Sequence, residues 1–200
     1  MYKLYDFLPS GNCYKIRLLL SQLGLEYKRI NVDILKKESR TPEFLKINPN
    51  GRTPVLDHNG KNLAESNAIL WYLASNTDFL PTSNYEQAQV LQWMFFEQFS
   101  HEPNIAAPRY WISILKAEKE YKEQLKVKTK LGYAALDVME QHLSGNDYFV
   151  GNQYSIADIS LYAYTHLAEE GKFDLSRYRY IKEWFKRIEN QKNYVSIKQS

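Results

Sequence analysis

The sequence predicts a two-part chain: an α+β first half in the element order βαβαββα, followed by an all-helical second half. Three observations predict it. Over residues 1–74 short strand-like runs alternate with short helical ones, and beyond residue 84 the strand pattern gives way to long helical periodicity. Between them, Ser75 to Asn84 is rich in turn formers and poor in apolar residues, as in a linker. Within 200 residues this places one domain over residues 1–77, a linker over 78–84 and a helical domain over 85–200.

Tyr2 to Phe7 is the first strand. Pro9-Ser10-Gly11-Asn12 turns it into a helix whose Ile16, Leu19, Leu20 and Leu23 recur at i, i+3, i+4 and i+7, one apolar face. Gly24 is placed to end that helix in the left-handed conformation. Tyr27 to Asp33 reads as a second strand, Pro42 to Ile47 as a short helix, and Asn48-Pro49-Asn50-Gly51 as a turn. Pro54 to Asp57 and Lys61 to Ala64 flank His58-Asn59-Gly60, where Asn-Gly favours a tight hairpin, and a helix over Ser66 to Ala74 follows directly.

In the second half, Pro103 and Pro108 interrupt a helical stretch between Tyr85 and Leu115. Proline removes a backbone donor and clashes with the preceding turn, so a kink or break is expected. Leu131, Ala135, Val138 and Met139 mark the apolar face of a long helix ending near Gly145. At Tyr154-Ser155-Ile156-Ala157-Asp158-Ile159, a hydroxyl N-cap, an acid three residues on and flanking apolar residues form a capping box with a hydrophobic staple, the start of a buried helix.

Composition narrows the function classes. Hydrophobic residues at 44% and charged residues at 24% describe a globular chain rather than a disordered one. A net charge of +3, dispersed along the chain, argues against a nucleic-acid partner. The six lysines from Lys116 to Lys130 alternate with Glu118, Glu120 and Glu123, as on a solvated helix. One cysteine, Cys13, excludes an internal disulfide, and the opening residues lack a signal-peptide pattern, so the cytoplasm is the expected compartment. No apolar run reaches the roughly 18–20 residues that cross a bilayer, so no membrane association is expected. The four histidines and the single cysteine have no ligand spacing, and no metal is expected. The 16 tyrosines suit an aromatic-lined pocket or half-buried packing equally well.

The βαβαββα order, the turn at Pro9-Ser10-Gly11-Asn12-Cys13, Thr53-Pro54 opening a strand, Glu65-Ser66 before a helix and the capped Ser155-to-Asp158 box together resemble the cytosolic glutathione transferases. The likeness covers nearly the whole chain, and the motifs are specific jointly rather than singly. It implies a thioredoxin-like domain that holds glutathione as co-substrate and an all-helical domain that shapes the pocket for a small apolar electrophile. It further implies a detoxifying transferase that pairs as a homodimer.

Conjugation needs the glutathione sulfur as a thiolate, the competent nucleophile. Moving a thiol from about 8.5 to about 6.5 takes roughly 2.7 kcal/mol of preferential stabilisation of the anion. One charge-assisted hydrogen bond at about 1.5–3 kcal/mol, with a helix N-terminus adding about 0.3–1, supplies it. The strand-to-helix turn offers both. Ser10 is the first candidate for the catalytic donor, in a serine-type site of bacterial type. Asn12 is the second, through its side-chain amide, and the sequence does not rank them; Ser10 could also be an ordinary N-cap. Cys13 reads as a packed core thiol, with a redox role as the alternative.

The resemblance further implies a cis Thr53-Pro54 bond, whose exposed backbone groups would pair with the cysteinyl backbone of glutathione as an added strand. Glu65 and Ser66 stand where a strand hands over to a helix. Ser66 would take the γ-glutamyl carboxylate and Glu65 the ammonium group, unless the pair only caps the helix. Lys37 and Arg52 are candidate partners of the glycyl carboxylate or solvated surface charges. Tyr110, beside the proline-interrupted stretch, is the candidate electrophile contact. Two other readings stay open: a glutathione-dependent disulfide or peroxide reductase, and a non-catalytic scaffold on the same fold.

Overall fold

The computed structural model describes residues 1–199 and divides into two units, Met1–Thr77 together with the tail from Gln191 onward, and Asp78–Asn190. The first unit runs β1 (Tyr2–Asp6), α1 (Gly11–Gln22), β2 (Tyr27–Asn31), α2 (Pro42–Ile47), β3 (Val55–His58), β4 (Lys61–Ala64) and α3 (Ser66–Ala74). Its four strands lie in the order β2-β1-β3-β4. β1 and β2 are parallel and therefore need the α1 crossover between them, whereas β3 and β4 pair antiparallel through a short turn. Tyr5 sits opposite Val55 and Val55 opposite Ala64, so one row of side chains shares a sheet face and packs with Val32, Phe44 and Ile47. This is the thioredoxin-like arrangement.

Every α1 residue from Cys13 to Leu20 is buried, although the sequence marks only one apolar face. The tail supplies cover for the rest of the helix. Tyr14 donates its hydroxyl to Val195 O at 2.7 Å, Arg17 donates to Ile197 O at 3.0 Å and Ser21 donates to Asn193 O at 2.9 Å. The expected helical domain over 85–200 therefore stops short: residues from 191 onward group with the first unit, because their carbonyls answer side chains on α1. Arg17 also ion-pairs with the buried Asp6, which Arg29 reaches from β2 at 2.7 Å. Gly24 ends the helix region at φ +66°, as its position in sequence suggests.

The second unit is mostly helical: α4 (Asn84–Phe96), α5 (Glu102–Arg109), α6 (Lys122–Leu143), α7 (Ile156–Thr165) and α8 (Arg179–Glu189). Wide π turns at Glu97–His101 and Tyr110–Ile114 bracket α5. They mark where Pro103, in the first turn of α5, and Pro108, inside it, disturb the regular ladder. The segment before α4 is tied down within this unit, since Phe79 O accepts from Ile156 N at 3.0 Å and Pro81 O accepts from Gln87 Nε2 at 2.8 Å.

On α6 the helical period is as expected, but its phase is shifted. Gly132, Ala135, Leu136, Met139 and Leu143 are buried, whereas Leu131 and Val138 are 46% and 44% exposed. Gly132 sets this phase, because a Cβ there would meet the Phe173 ring at 2.6 Å and Asn104 O at 2.9 Å. All ten residues of α7 are buried, and its start is the capping box, with Ser155 and Asp158 bonded reciprocally. Trp93, Phe149, Trp184 and Tyr162 stack edge to face through this core. Among the described residues no helix is long and apolar enough to cross a membrane.

Candidate functional site

Two helix N-termini meet in the first unit. At the start of α1, Ser10 is the N-cap and its Oγ accepts from Cys13 N at 3.3 Å, while Tyr14 N closes the first backbone bond to Ser10 O at 2.9 Å. Cys13 is fully buried, and its sulfur accepts from Phe7 N at 3.4 Å. Burial pushes this thiol up to about 11, with the Asp6 carboxylate adding to the rise, against hydrogen bonds from Phe7, Thr53 and Ser10. The thiol stays neutral near pH 7 and is a packing residue rather than a nucleophile. It also serves as the knot that gathers Ser10 and Thr53, residues far apart in sequence, at one place.

Thr53 is half-buried and Pro54 buried, and the bond between them is cis. The loop before it is held by Asn48, which donates Nδ2 to Arg52 O at 2.8 Å and accepts from Gly51 N at 2.8 Å through its backbone carbonyl. Gly51 has φ +61°, and a Cβ there would lie 2.9 Å from the backbone Ser39 O, so both the conformation and the close approach favour glycine.

At the start of α3, Glu65 is exposed and takes φ 67°, ψ 116°, a region that strains any residue with a Cβ. Ser66 is buried at 5% exposure. Its hydroxyl donates to Asn12 Oδ1 at 3.1 Å and accepts from Lys15 Nζ at 3.2 Å. Lys15, fully buried in the middle of α1, also donates to Asn67 Oδ1 at 3.3 Å. The first turns of α1 and α3 are thus joined side chain to side chain, and both present backbone N–H groups and a positive dipole end, the features that suit anions.

Of the residues singled out from sequence, Ser10 and Thr53 converge on Cys13, and Asn12 and Ser66 are bonded to each other. Lys37 and Arg52 are both exposed, on loops that Arg40 connects by donating to Asn50 O at 3.0 Å. Lys37 has φ 61° between two 3-10 turns. Tyr110 belongs to the second unit, half-buried at the start of a π turn. Lys15 and Asn67 escape sequence reasoning: a lysine inside an amphipathic helix reads as a solvent-facing residue, and the one signal against that is its place between Tyr14 and Ile16, which are also buried.

Known proteins share this fold. The family model for the glutathione S-transferase N-terminal domain matches residues 1–75, and that for the C-terminal domain matches residues 70–192. A glutathione S-transferase from Pseudomonas fluorescens is 50% identical with a TM-score of 0.97, covering 99% of each chain. The disulfide-bond oxidoreductase YfcG of Escherichia coli is 33% identical over 194 residues, 92% of this chain and 89% of that protein. The glutathione transferase URE2P8 from Phanerochaete chrysosporium, solved with oxidized glutathione, is 26% identical with a TM-score of 0.84, covering 96% of this chain and 90% of that one. With a thioredoxin-like first unit, a helical second unit and both family models matched, this chain belongs to the glutathione S-transferase family.

Proposed function

We propose that the first unit binds glutathione with its sulfur at the N-terminus of α1 and its γ-glutamyl end at the N-terminus of α3, and that the chain transfers the thiolate to small apolar electrophiles. The observation that carries this reading is the hydrogen bond between Ser66 and Asn12, which brings the two anion-friendly helix starts together. Thr53-Pro54 offers backbone groups to the cysteinyl residue, and Glu65 its carboxylate to the ammonium group. Lys37 and Arg52 are the cations for the glycyl carboxylate, and Tyr110 is the contact for the electrophile.

Between the two candidate donors, the geometry favours Asn12. The Ser10 hydroxyl is engaged as the N-cap, accepting from Cys13 N. Asn12 takes its bond from Ser66 at the carbonyl oxygen, and its side chain also carries two amide donors. An amide aimed at a thiolate supplies a charge-assisted bond of about 1.5–3 kcal/mol, or roughly one to two pKa units.

Ultraviolet titration of the thiolate of bound glutathione tests this directly. Asn12→Ala should raise the bound thiol's pKa by about one unit or more, whereas Ser10→Ala should mainly cost about 1 kcal/mol of stability as a lost cap. The reverse ranking would return the role to Ser10.

A second reading, reduction of disulfides with two glutathiones consumed for each disulfide cleaved, is favoured by the similarity to the Escherichia coli oxidoreductase. Parallel assays of aryl-halide conjugation and of disulfide reduction separate the two. A homodimer is part of the proposal, supported by exposed Phe95 and Phe99 at 68% and 89%. A reducing cytoplasm is supported by the lone, buried Cys13.

A further inference from the structure

The π turn Tyr110–Ile114 that ends α5 is closed by Leu115 N donating to Tyr110 O at 2.8 Å, one residue wider than an α turn. Its outside hold comes from the 3-10 turn Ala168–Gly171. Arg109, the residue before the π turn, donates Nε to Glu170 Oε2 at 2.7 Å, and Ser113 donates its hydroxyl to Glu170 O at 2.6 Å. One residue thus takes a bond from each end of the turn. Gly171 lets the two segments approach, since a Cβ there would meet Arg109 N at 3.0 Å and Pro108 Cβ at 3.3 Å. Beyond the turn, Lys172 pairs with Glu118 at 2.6 Å.

Tyr110 stands between two residues that are both committed. Arg109 is paired with Glu170, and Trp111 stacks on Tyr121 with ring centroids 4.5 Å apart and planes 3° apart. Among the described residues the half-buried Tyr110 has no hydrogen-bond partner for its own hydroxyl. Where it sits is therefore set by the backbone that carries it.

We infer that Glu170 is a positioning residue for the electrophile pocket: through Arg109 and Ser113 it fixes the turn that presents Tyr110. This rests on the proposed function, with Tyr110 as the electrophile's contact. The Arg109 side chain is only 8% exposed, so its bond to Glu170 is charge-assisted and largely screened from water, unlike a solvated surface pair. Glu170 itself, at 43% exposure, can be replaced without opening the core.

The experiment is steady-state conjugation of chlorodinitrobenzene by the full chain, with glutathione binding followed by calorimetry and folding by thermal melts. In Glu170→Ala, kcat/KM for the aryl halide should fall about threefold to tenfold, while glutathione affinity, a property of the first unit, stays unchanged. Glu170→Gln, which keeps an oxygen acceptor for Arg109, should restore part of the loss. Ser113→Ala should reproduce the effect in smaller measure by releasing the other end of the turn. In a Tyr110→Ala background, Glu170→Ala should change kcat/KM little further, because it acts through Tyr110. A purely structural glutamate would lower the melting temperature and leave the kinetic constants of the folded chain alone.

Glu170→Ala equal to wild type in kcat/KM overturns this inference alone. So does an equal loss of glutathione affinity, or a loss of undiminished size in the Tyr110→Ala background. Tyr110→Ala equal to wild type removes Tyr110 from the proposed function and this inference with it, and wild type without conjugating activity overturns both.

Discussion

Trp184 on α8 donates its indole N–H to the Asp158 carboxylate at 2.9 Å, so the cap of α7 is bonded directly to the aromatic core of its unit. The other oxygen of Asp158 accepts from Ser155 N at 3.0 Å and from Ser155 Oγ at 3.1 Å, and Phe149 N adds a bond at 3.2 Å to the oxygen that Trp184 holds. Burial pushes the carboxyl up to about 6 against these four donors.

Asp158→Ala would leave the donors of Trp184, Ser155 and Phe149 buried without their acceptor. At about 1–3 kcal/mol for each stranded group, the full chain should lose at least about 3 kcal/mol in urea unfolding. A loss below about 1 kcal/mol would show that the cap is incidental to the core.

His166 gives the fold a built-in acid sensitivity. Its Nδ1 lies 2.7 Å from Tyr162 O and its ring stacks on Tyr162 at 4.4 Å, and burial pushes its pKa down to about 4. The folded state therefore holds the neutral ring, while the unfolded chain takes up a proton near about 6.5. Its stabilising contribution is complete above that value, is lost as pH falls, and is gone below about 4. Between about pH 7 and about pH 5, wild type should lose roughly 2 kcal/mol relative to His166→Gln, read from paired denaturation curves. Parallel curves would mean that His166 does not titrate in this window.

Glu65 stands in the strained corner between β4 and α3. Relief of a positive φ by glycine is worth about 1 kcal/mol or more against an L-residue. Glu65→Gly should accordingly be more stable than Glu65→Ala by about that amount, while both lose affinity for glutathione. Equal stability would remove the strain from the account, and retained affinity in both would remove the carboxylate from the binding site.

Removing the tail after Asn190 should destabilise the first unit. Three hydrogen bonds from Tyr14, Arg17 and Ser21 would be lost, one of them from a charged guanidinium, for a total of about 2–4 kcal/mol. Hydrogen exchange should speed up along α1 first. Because Arg17 also donates to Leu8 O at 2.9 Å, just before Ser10, the loop preceding the N-cap should loosen with it. Unchanged protection of α1 would show that the tail is an ornament on an already complete unit.

Much of the first unit is legible in the sequence to within a residue or two. α2 and β4 begin and end where turn residues and alternation place them, and α3 begins at Ser66. The capping box of α7 is also visible, because Ser155 and Asp158 are three residues apart and satisfy each other locally. The phase of α6 is not, because the choice between Leu131 and Gly132 as a buried position depends on how closely Phe173 and Asn104 approach. Of the site, Ser10, Asn12, Thr53 and Ser66 are visible as residues, but not their bonding to one another.

The sequence alone determined the order of strands and helices in the first unit and the capping box that begins α7, since periodicity, turn chemistry and capping act over a few neighbouring residues. Tertiary structure decided that the tail covers α1, that Cys13 gathers Ser10 and Thr53, and that Lys15 is buried against Ser66. Those outcomes join residues up to 181 positions apart. Which side chains share a hydrogen bond is settled when whole faces pack, and a polar residue's worth then depends on the partner that packing brings to it.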